Sequence, residues 1–441
     1  MRNSRAIPFC LTVISQVLWL PDHDSRVYGM INSVISQSRV NSLGDFVQWC
    51  EQKDLLPEKT KTTIKVLLQK SGQEDCQLAA DRLQTFTSLD LSKYQITDIK
   101  PLGLFSKLTT LNLGHNQIID LVPLENLMEL TNLNLEGNQI SDLKPLAYLP
   151  KLTSLNLSNN QIRVIFPLSQ LKNLRTLNLS YNQIRDLQPI AGLTNLTKLE
   201  LEHNQITDLK PLFKLNNLNE LWLSHNQIRD LQYLQNLNKL VILSLTYNKI
   251  KDVKPLGKLT QFTSLWLSYN QIKDIKPLAS LNKLEELRLD NNQLRDIRPL
   301  SNLNKLSLLW LGNNQIVDLS HLRNLTRLTE LYLMANQIKD VKILGRLTRL
   351  TKLYLSYNQI REIKSLSSLK QLTHLYLNNN QISQIQPLSG LPKLSFLSIS
   401  DNRVTDIKSL KSLPKLMFLD ARRNKIQRKV CPLKSVKNCR L

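Results

Sequence analysis

The stretch Leu108–Glu129, LTTLNLGHNQIIDLVPLENLME, decides the fold, because residues 130–151 repeat it as LTNLNLEGNQISDLKPLAYLPK. The pattern continues at a period of 22 residues with no insertion or deletion until the chain is nearly finished. Leu or Ile fills positions 1, 4, 6, 11, 14, 17 and 20 of nearly every unit, and Asn fills position 9 in fifteen consecutive units, from Asn116 to Asn424. A degenerate unit over residues 86–107 precedes them, with Tyr94 where the Asn would stand.

Each part of the unit has a physical reading. In LxxLxL the apolar residues alternate with polar ones, which is the period of a strand with one buried face. The Asn closes the strand, and its amide can satisfy free backbone groups in the turn that follows. Position 16 is Pro in ten units, among them Pro123, Pro145 and Pro277. Proline has no N–H to lose and suits the first residue of a short helical turn, here PLxxL on the side opposite the strand. One unit cannot bury its own leucines, whereas a stack of units makes a continuous core.

This wording resembles the leucine-rich repeat (LRR) family. The spacing is similar to the 22-residue class shared by bacterial internalins and the LRR regulatory subunit of eukaryotic protein phosphatase 1. The phrase NQIxDLxPL, the lead-in FVQWCEQKDLLPEKTKTTIKVLLQ and the ending CPLKSVKNC look most like cyanobacterial LRR proteins. The resemblance covers roughly residues 41–441, and it implies an α/β fold: a right-handed LRR solenoid with a parallel concave β-sheet. Residues 41–85 are expected to form a helical N-terminal cap, residues 86–427 about sixteen repeats, and residues 428–441 a short C-terminal cap. Sixteen strands at roughly 4.8 Å give a sheet about 75 Å long. The motif specifies fold strongly and function weakly, since one scaffold serves many partners.

Residues 1–40 lie outside the pattern. Arg2 and Arg5 precede an apolar run from Ala6 to Leu20, which has the charged start and apolar middle of a signal peptide but no small-x-small cleavage site. The run is short for a bilayer span and contains Gln16. A loosely ordered extension, or a true start at Met30 in place of Met1, is the alternative. The chain is expected in the cytoplasm, or exported if residues 1–20 act as a signal peptide. In the cap, Pro57 suits a helix start, Ile64, Leu67 and Leu68 share a face, and Ser71-Gly72 supplies a stop; a short helix is expected near residues 74–83. The five cysteines show neither a CxxC motif nor zinc-ligand spacing. Cys50/Cys76 and Cys431/Cys439 fall within the two caps and suit disulfides in an exported chain, or buried thiols in a reducing one.

The net charge of +23 prompts a nucleic-acid or membrane-surface reading. The bases fall mostly at positions 12, 15 and 22, on loop edges beside an Asp column at position 13, where mixed rows on a solvated flank are the plain expectation. The open face of the strand carries acids, among them Glu136, Glu200, Glu202, Glu220, Glu286, Asp290 and Glu330, and fewer bases. Phosphate binding is disfavoured there.

Position 5 is the most informative column. It reads Trp222, Ser244, Trp266, Arg288, Trp310, Tyr332, Tyr354 and Tyr376, with Phe396 and Phe418 continuing the patch at position 3 and Tyr247, Tyr269 and Tyr357 flanking it at position 8. Adjacent strands set these side chains about 5 Å apart. Arg288 stands between two tryptophans, where cation–π stacking is expected. Self-stacking accounts for part of such a column, but Trp, Tyr and Arg are also the usual hot-spot residues of interfaces. The expected partner-binding residues are Glu220, Trp222, Trp266, Glu286, Arg288, Trp310, Glu330, Tyr332, Tyr354 and Tyr376. The acid-then-aromatic pairs Glu220/Trp222 and Glu330/Tyr332 resemble the concave chemistry of the phosphatase-regulating LRR family, without carrying over its partner. There is no phosphate-binding glycine loop and no nucleophile elbow, and no cofactor motif or catalytic set. His203 and His225, in adjacent units, are either a metal-binding pair or members of a polar column. The function read from the sequence is a monomeric, non-enzymatic scaffold that binds a protein partner. The alternative is a binder of anionic surfaces or nucleic acid through its basic loop edges.

Overall fold

The computed structural model describes residues 46–428, 430–432 and 438–441. The expected extension over residues 1–40, with its alternative starts at Met1 and Met30, lies outside the described residues. Three helices open the described chain: α1 (Phe46–Glu51), α2 (Glu58–Ser71) and α3 (Cys76–Leu83). Pro57 precedes α2 directly, and Gly72 ends it in the left-handed region at φ 65°, which glycine adopts without a Cβ penalty. Asp75 caps α3 by accepting the N–H of Leu78 at 2.9 Å.

Each unit then contributes one three-residue strand, from β1 (Ser88–Asp90) to β16 (Phe418–Asp420), and each of the first fifteen also contributes a 3-10 turn on the other side of the coil. All strands pair in parallel, each with its neighbours one unit away in sequence: Leu287 stands opposite Leu265 and Leu309, and Arg288 opposite Trp266 and Trp310. The crossovers between parallel neighbours make a right-handed solenoid. The leucines of each unit point into the space between sheet and turns. In the unit over residues 284–305, Leu284, Leu287, Leu289, Leu294, Ile297, Leu300 and Leu303 are all fully buried.

The position-9 Asn joins units in a specific way. The amide of Asn160 donates to the carbonyls of Leu135 in the preceding unit (2.9 Å) and Leu157 in its own (3.1 Å), while its oxygen accepts the N–H of Ile140 at 3.0 Å. Every unit therefore closes the turn of the one before it. The position-13 Asp has a related role that its surface position hides. Asp142 accepts the N–H of Lys144 at 3.0 Å, and Asp274 that of Lys276 at 2.7 Å, fixing the entry to each 3-10 turn. Tyr94 replaces the Asn in the first unit because no earlier unit exists to be closed. It sits instead beside the helices, with Lys70 Nζ 5.0 Å from its ring centre.

The helices cover the first unit through named contacts. Thr60 Oγ1 donates to Asp98 Oδ2 at 2.6 Å, Thr63 Oγ1 donates to the Asp98 carbonyl at 2.5 Å, and Phe46 packs on Phe105 with ring centres 5.8 Å apart. Both cysteine pairs are joined, Cys50–Cys76 across α1 and α3 and Cys431–Cys439 at the far end. At that end the structure exceeds the sixteen strands read from the repeat, because Cys439–Arg440 adds a seventeenth, paired to β16. An uncovered edge strand exposes a row of free N–H and C=O groups; the short β17 covers that of β16. Among the described residues no helix is long and apolar enough to cross a membrane.

Candidate partner-binding strip on the concave face

The side chains at positions 3 and 5 alternate with the fully buried Leu at position 4, so they project from the sheet away from the core. Strand pairing brings the whole expected set onto one strip. Trp222 meets Trp266 edge-on at 5.1 Å between ring centres, closing over Ser244, which is completely buried beneath them. The Arg288 guanidinium lies 4.3 Å from the ring centre of Trp266 and 4.5 Å from that of Trp310. Trp310 contacts Tyr332 at 4.5 Å, and Tyr332, Tyr354 and Tyr376 stack at 4.3 and 4.4 Å with planes 10° apart. Phe396 and Phe418 extend the strip, at 4.7 Å from Tyr376 and 4.4 Å from each other. The line is unbroken from β7 (Glu220–Trp222) to β16. Its rings are half-buried by one another, so self-stacking is a real part of the column's role, at about 0.5–1.5 kcal/mol per aromatic pair.

Three acids of this face, Glu220, Glu286 and Glu330, are paired with cations rather than open. Glu286 holds Arg288 at 2.6 Å, Glu330 holds Lys352 at 2.9 Å and accepts the Tyr332 hydroxyl at 2.8 Å, and Glu220 faces Lys198 at 3.5 Å and the Trp222 indole at 3.4 Å. Burial pushes the Glu330 carboxyl up, but the hydrogen bonds from Lys352 and Tyr332 outweigh it and hold it below the usual carboxylate range. Burial and the same Glu330 bond push the Tyr332 phenol far up. These carboxylates orient the aromatic and cationic groups rather than offering a separate acidic surface. Two donors stay unsatisfied: among the described residues, the indole N–H groups of Trp266 and Trp310 are the buried side-chain polar atoms without a partner. They flank Arg288 on its two sides. Before β7 the same column is polar, with the amide of Asn134 donating to Asn112 at 3.0 Å and each Asn oxygen accepting the N–H two residues on.

A second aromatic ladder runs along position 8. Tyr181, His203, His225, Tyr247 and Tyr269 stack face to face, with successive centres 4.1, 3.9, 4.2 and 3.9 Å apart. The repeat places His203, His225, Tyr247 and Tyr269 at one position, and the structure adds Tyr181 and joins the five into one stack. The signal was present in the column itself: Asn159, Gly137, Asn291 and Asp401 share the position, and such residues mark left-handed backbone. All five rings sit at φ between 51° and 57°, a conformation that sets each ring over the next. The two imidazole planes lie 13° apart, face to face within the stack. Among the described residues no group of three metal-ligating side chains occurs.

Burial lowers the pKa of His203, with His225 adding to the effect, and burial lowers that of His225. A folded pKa below the unfolded value of about 6.5 means that the unfolded chain takes up protons first. Stability should therefore fall as pH drops through about 6.5 and level off below the folded values. Glu202, whose carboxyl burial pushes up, acts in the opposite direction at lower pH, so the comparison needs a variant. H203N/H225N, which suits the left-handed backbone, should lose less melting temperature than the wild type between pH 7.5 and 5.5. Equal losses in thermal unfolding would show that the stacked imidazoles do not couple to folding.

The family model described as leucine-rich repeats in two copies matches residues 106–148, 150–192 and 348–390, with overlapping matches from 194 to 346. Among solved structures, an internalin (InlF) of Listeria monocytogenes is 41% identical, with a TM-score of 0.66 over 68% of this chain and 89% of its own. An LRR protein of Leptospira interrogans is 30% identical, with a TM-score of 0.73 over 79% of this chain and 94% of its own. A plant peptide hormone receptor, RGFR1 in complex with RGF2, shares the fold at 23% identity and a TM-score of 0.58, over 77% of this chain and 67% of its own. No curated protein matches the chain.

Proposed function

The chain belongs to the leucine-rich repeat family, whose members serve as protein-interaction scaffolds, and on that premise we propose that it is a non-enzymatic scaffold whose concave aromatic strip grips a protein partner. The observation that carries this reading is the Trp266–Arg288–Trp310 sandwich at the centre of the strip. Stacking for stability alone is satisfied by tyrosines, as at Tyr332, Tyr354 and Tyr376. The sandwich instead holds a cation between two indoles whose buried N–H groups have no acceptor, and an unmet buried donor costs about 1–3 kcal/mol. Interfaces concentrate their binding energy in Trp, Tyr and Arg, and those residue types fill this column. Glu220, Glu286 and Glu330 act within it by holding Lys198, Arg288 and Lys352 in place. The helical segment and the C-terminal strand act as end caps that leave this face open.

The two disulfides support a working place in an oxidising compartment, since cytosolic thiols are kept reduced.

The test compares the wild type with W222A/W266A/W310A/Y332A in pull-downs from extracts of the source cells at low and moderate salt. Truncating hot-spot residues costs about 2 kcal/mol or more apiece, so affinity should drop by more than about 100-fold while circular dichroism still reports the same sheet. Capture of the same proteins by both forms would refute the concave site.

A further inference from the structure

The excess positive charge is distributed unequally between the faces of the solenoid. On the sheet side the cations are neutralised: Lys198, Arg288, Lys352 and Arg422 each lie within 3.0 Å of a carboxylate oxygen. On the flank formed by positions 10–15 four arginines meet neutral amides instead. Arg163, Arg185, Arg295 and Arg361 each donate from Nε to the Gln oxygen two residues short of the same place in the next unit, at 2.7–3.0 Å. These bonds hold the guanidinium groups in a row without cancelling their charge.

The row is densest in the units of β8 (Ile242–Ser244), β9 (Ser264–Trp266) and β10 (Glu286–Arg288). There Lys251, Lys254, Lys273, Lys276 and Arg295 are all exposed. Ion pairs on this flank, among the described residues, are Arg298–Asp296 (2.7 Å), Lys342–Asp340 (4.0 Å) and His321–Asp318 (3.5 Å), and none involves the four lysines. The intervening Asp252 and Asp274 each direct one carboxylate oxygen to the backbone N–H at position 15, at 2.8 and 2.7 Å.

We propose that this flank is a second binding surface, independent of the concave strip, and that it takes a linear acidic polysaccharide bearing one carboxylate per sugar. In-register stacking repeats each cation at the strand spacing of about 4.8 Å, a length comparable to one sugar ring in an extended chain. Duplex DNA fits less well. Its charges lie about 3.4 Å apart on each of two strands wound around a cylinder, so a straight row meets few of them. Single-stranded nucleic acid is held by aromatic platforms, and the stacked rings of this protein lie in other columns. The two disulfides suit an oxidising compartment, where acidic glycans are met.

The probes are polygalacturonate, a short DNA duplex and neutral dextran, titrated against the full chain at rising salt. Polygalacturonate should bind, with affinity falling as salt rises, and dextran should not. The reversal K251E/K254E/K273E/K276E should weaken polygalacturonate binding by about tenfold or more at low salt. Reversing as many cations at position 22, K239E/K283E/K305E/R327E, should change it by less than about threefold, and the four-aromatic variant should leave it unchanged. Each substituted side chain of the two reversals is exposed, so melting curves should coincide. The proposal is overturned if the wild type does not bind polygalacturonate, if both reversals weaken binding equally or not at all, or if the duplex binds more tightly than polygalacturonate.

Discussion

Asn248→Ala should destabilise the solenoid by about 3 kcal/mol, more than any change to an exposed side chain of the same unit. The magnitude follows from what each partner retains. The Asn248 amide donates to the carbonyls of Leu223 (3.0 Å) and Leu245 (3.1 Å), and its oxygen accepts the N–H of Ile228 at 2.9 Å. Leu223 keeps the amide of Asn226 at 3.1 Å and Leu245 keeps that of Asn270 at 2.9 Å. Each carbonyl thus loses one of two bonds, worth about 0.5–1.5 kcal/mol net. The Ile228 N–H loses the acceptor that closes its turn and is left buried, at about 1–3 kcal/mol. Asn248→Asp should not rescue the loss, because it restores an acceptor for Ile228 but turns a carboxylate oxygen toward the two carbonyls. Lys249→Ala, next in sequence and exposed, should stay within about 0.5 kcal/mol. Urea denaturation measures the three variants. Equal midpoints for Asn248→Ala and Lys249→Ala would mean that the amide ladder is decorative.

C50S/C76S should weaken the N-terminal cap by about 3–4 kcal/mol, the loop-closure value for a crosslink spanning 26 residues. The bond ties the last turn of α1 to the first residue of α3, with α2 held in the loop between them. Loss of the tie frees Phe46, Ile64, Leu67 and Leu83 from the face they share with Leu89 and Leu91. In a stack where each unit contacts only its neighbours, the damage stays local. Hydrogen exchange should therefore speed up across residues 46–96 and remain slow across residues 220–380, and reducing agent should reproduce the effect in the wild type. Unchanged protection at the N-terminal end would show that packing alone holds the cap.

The repeat made the fold legible because its signals agree at every level. Leucines at strand spacing, Pro at the entry to a turn and Asn at position 9 each require the same coil, and fifteen copies remove the ambiguity of any one. The column at position 5 was legible for the same reason. In-register stacking turns a position in the unit into a line on the surface, so Trp222 to Tyr376 could be read as neighbours. The reading was weaker where a residue's role depends on what its own unit does to it. Asp142 and Asp274 read as surface charges, yet they fix turns. Glu220, Glu286 and Glu330 read as an acidic face, yet each is held by a cation.

The sequence by itself determined the solenoid, its period, its buried leucine face and the residues that share the concave strip, because these follow from a spacing that no long-range contact can alter. Only the tertiary structure decided which charges survive at the surface, that five rings at position 8 form one stack, that both cysteine pairs join, and that Cys439–Arg440 adds a last strand. Those outcomes depend on side chains from different units meeting at distances of a few ångströms. A repeat pattern sets which residues are neighbours, but not how each one satisfies its charge or its hydrogen bonds.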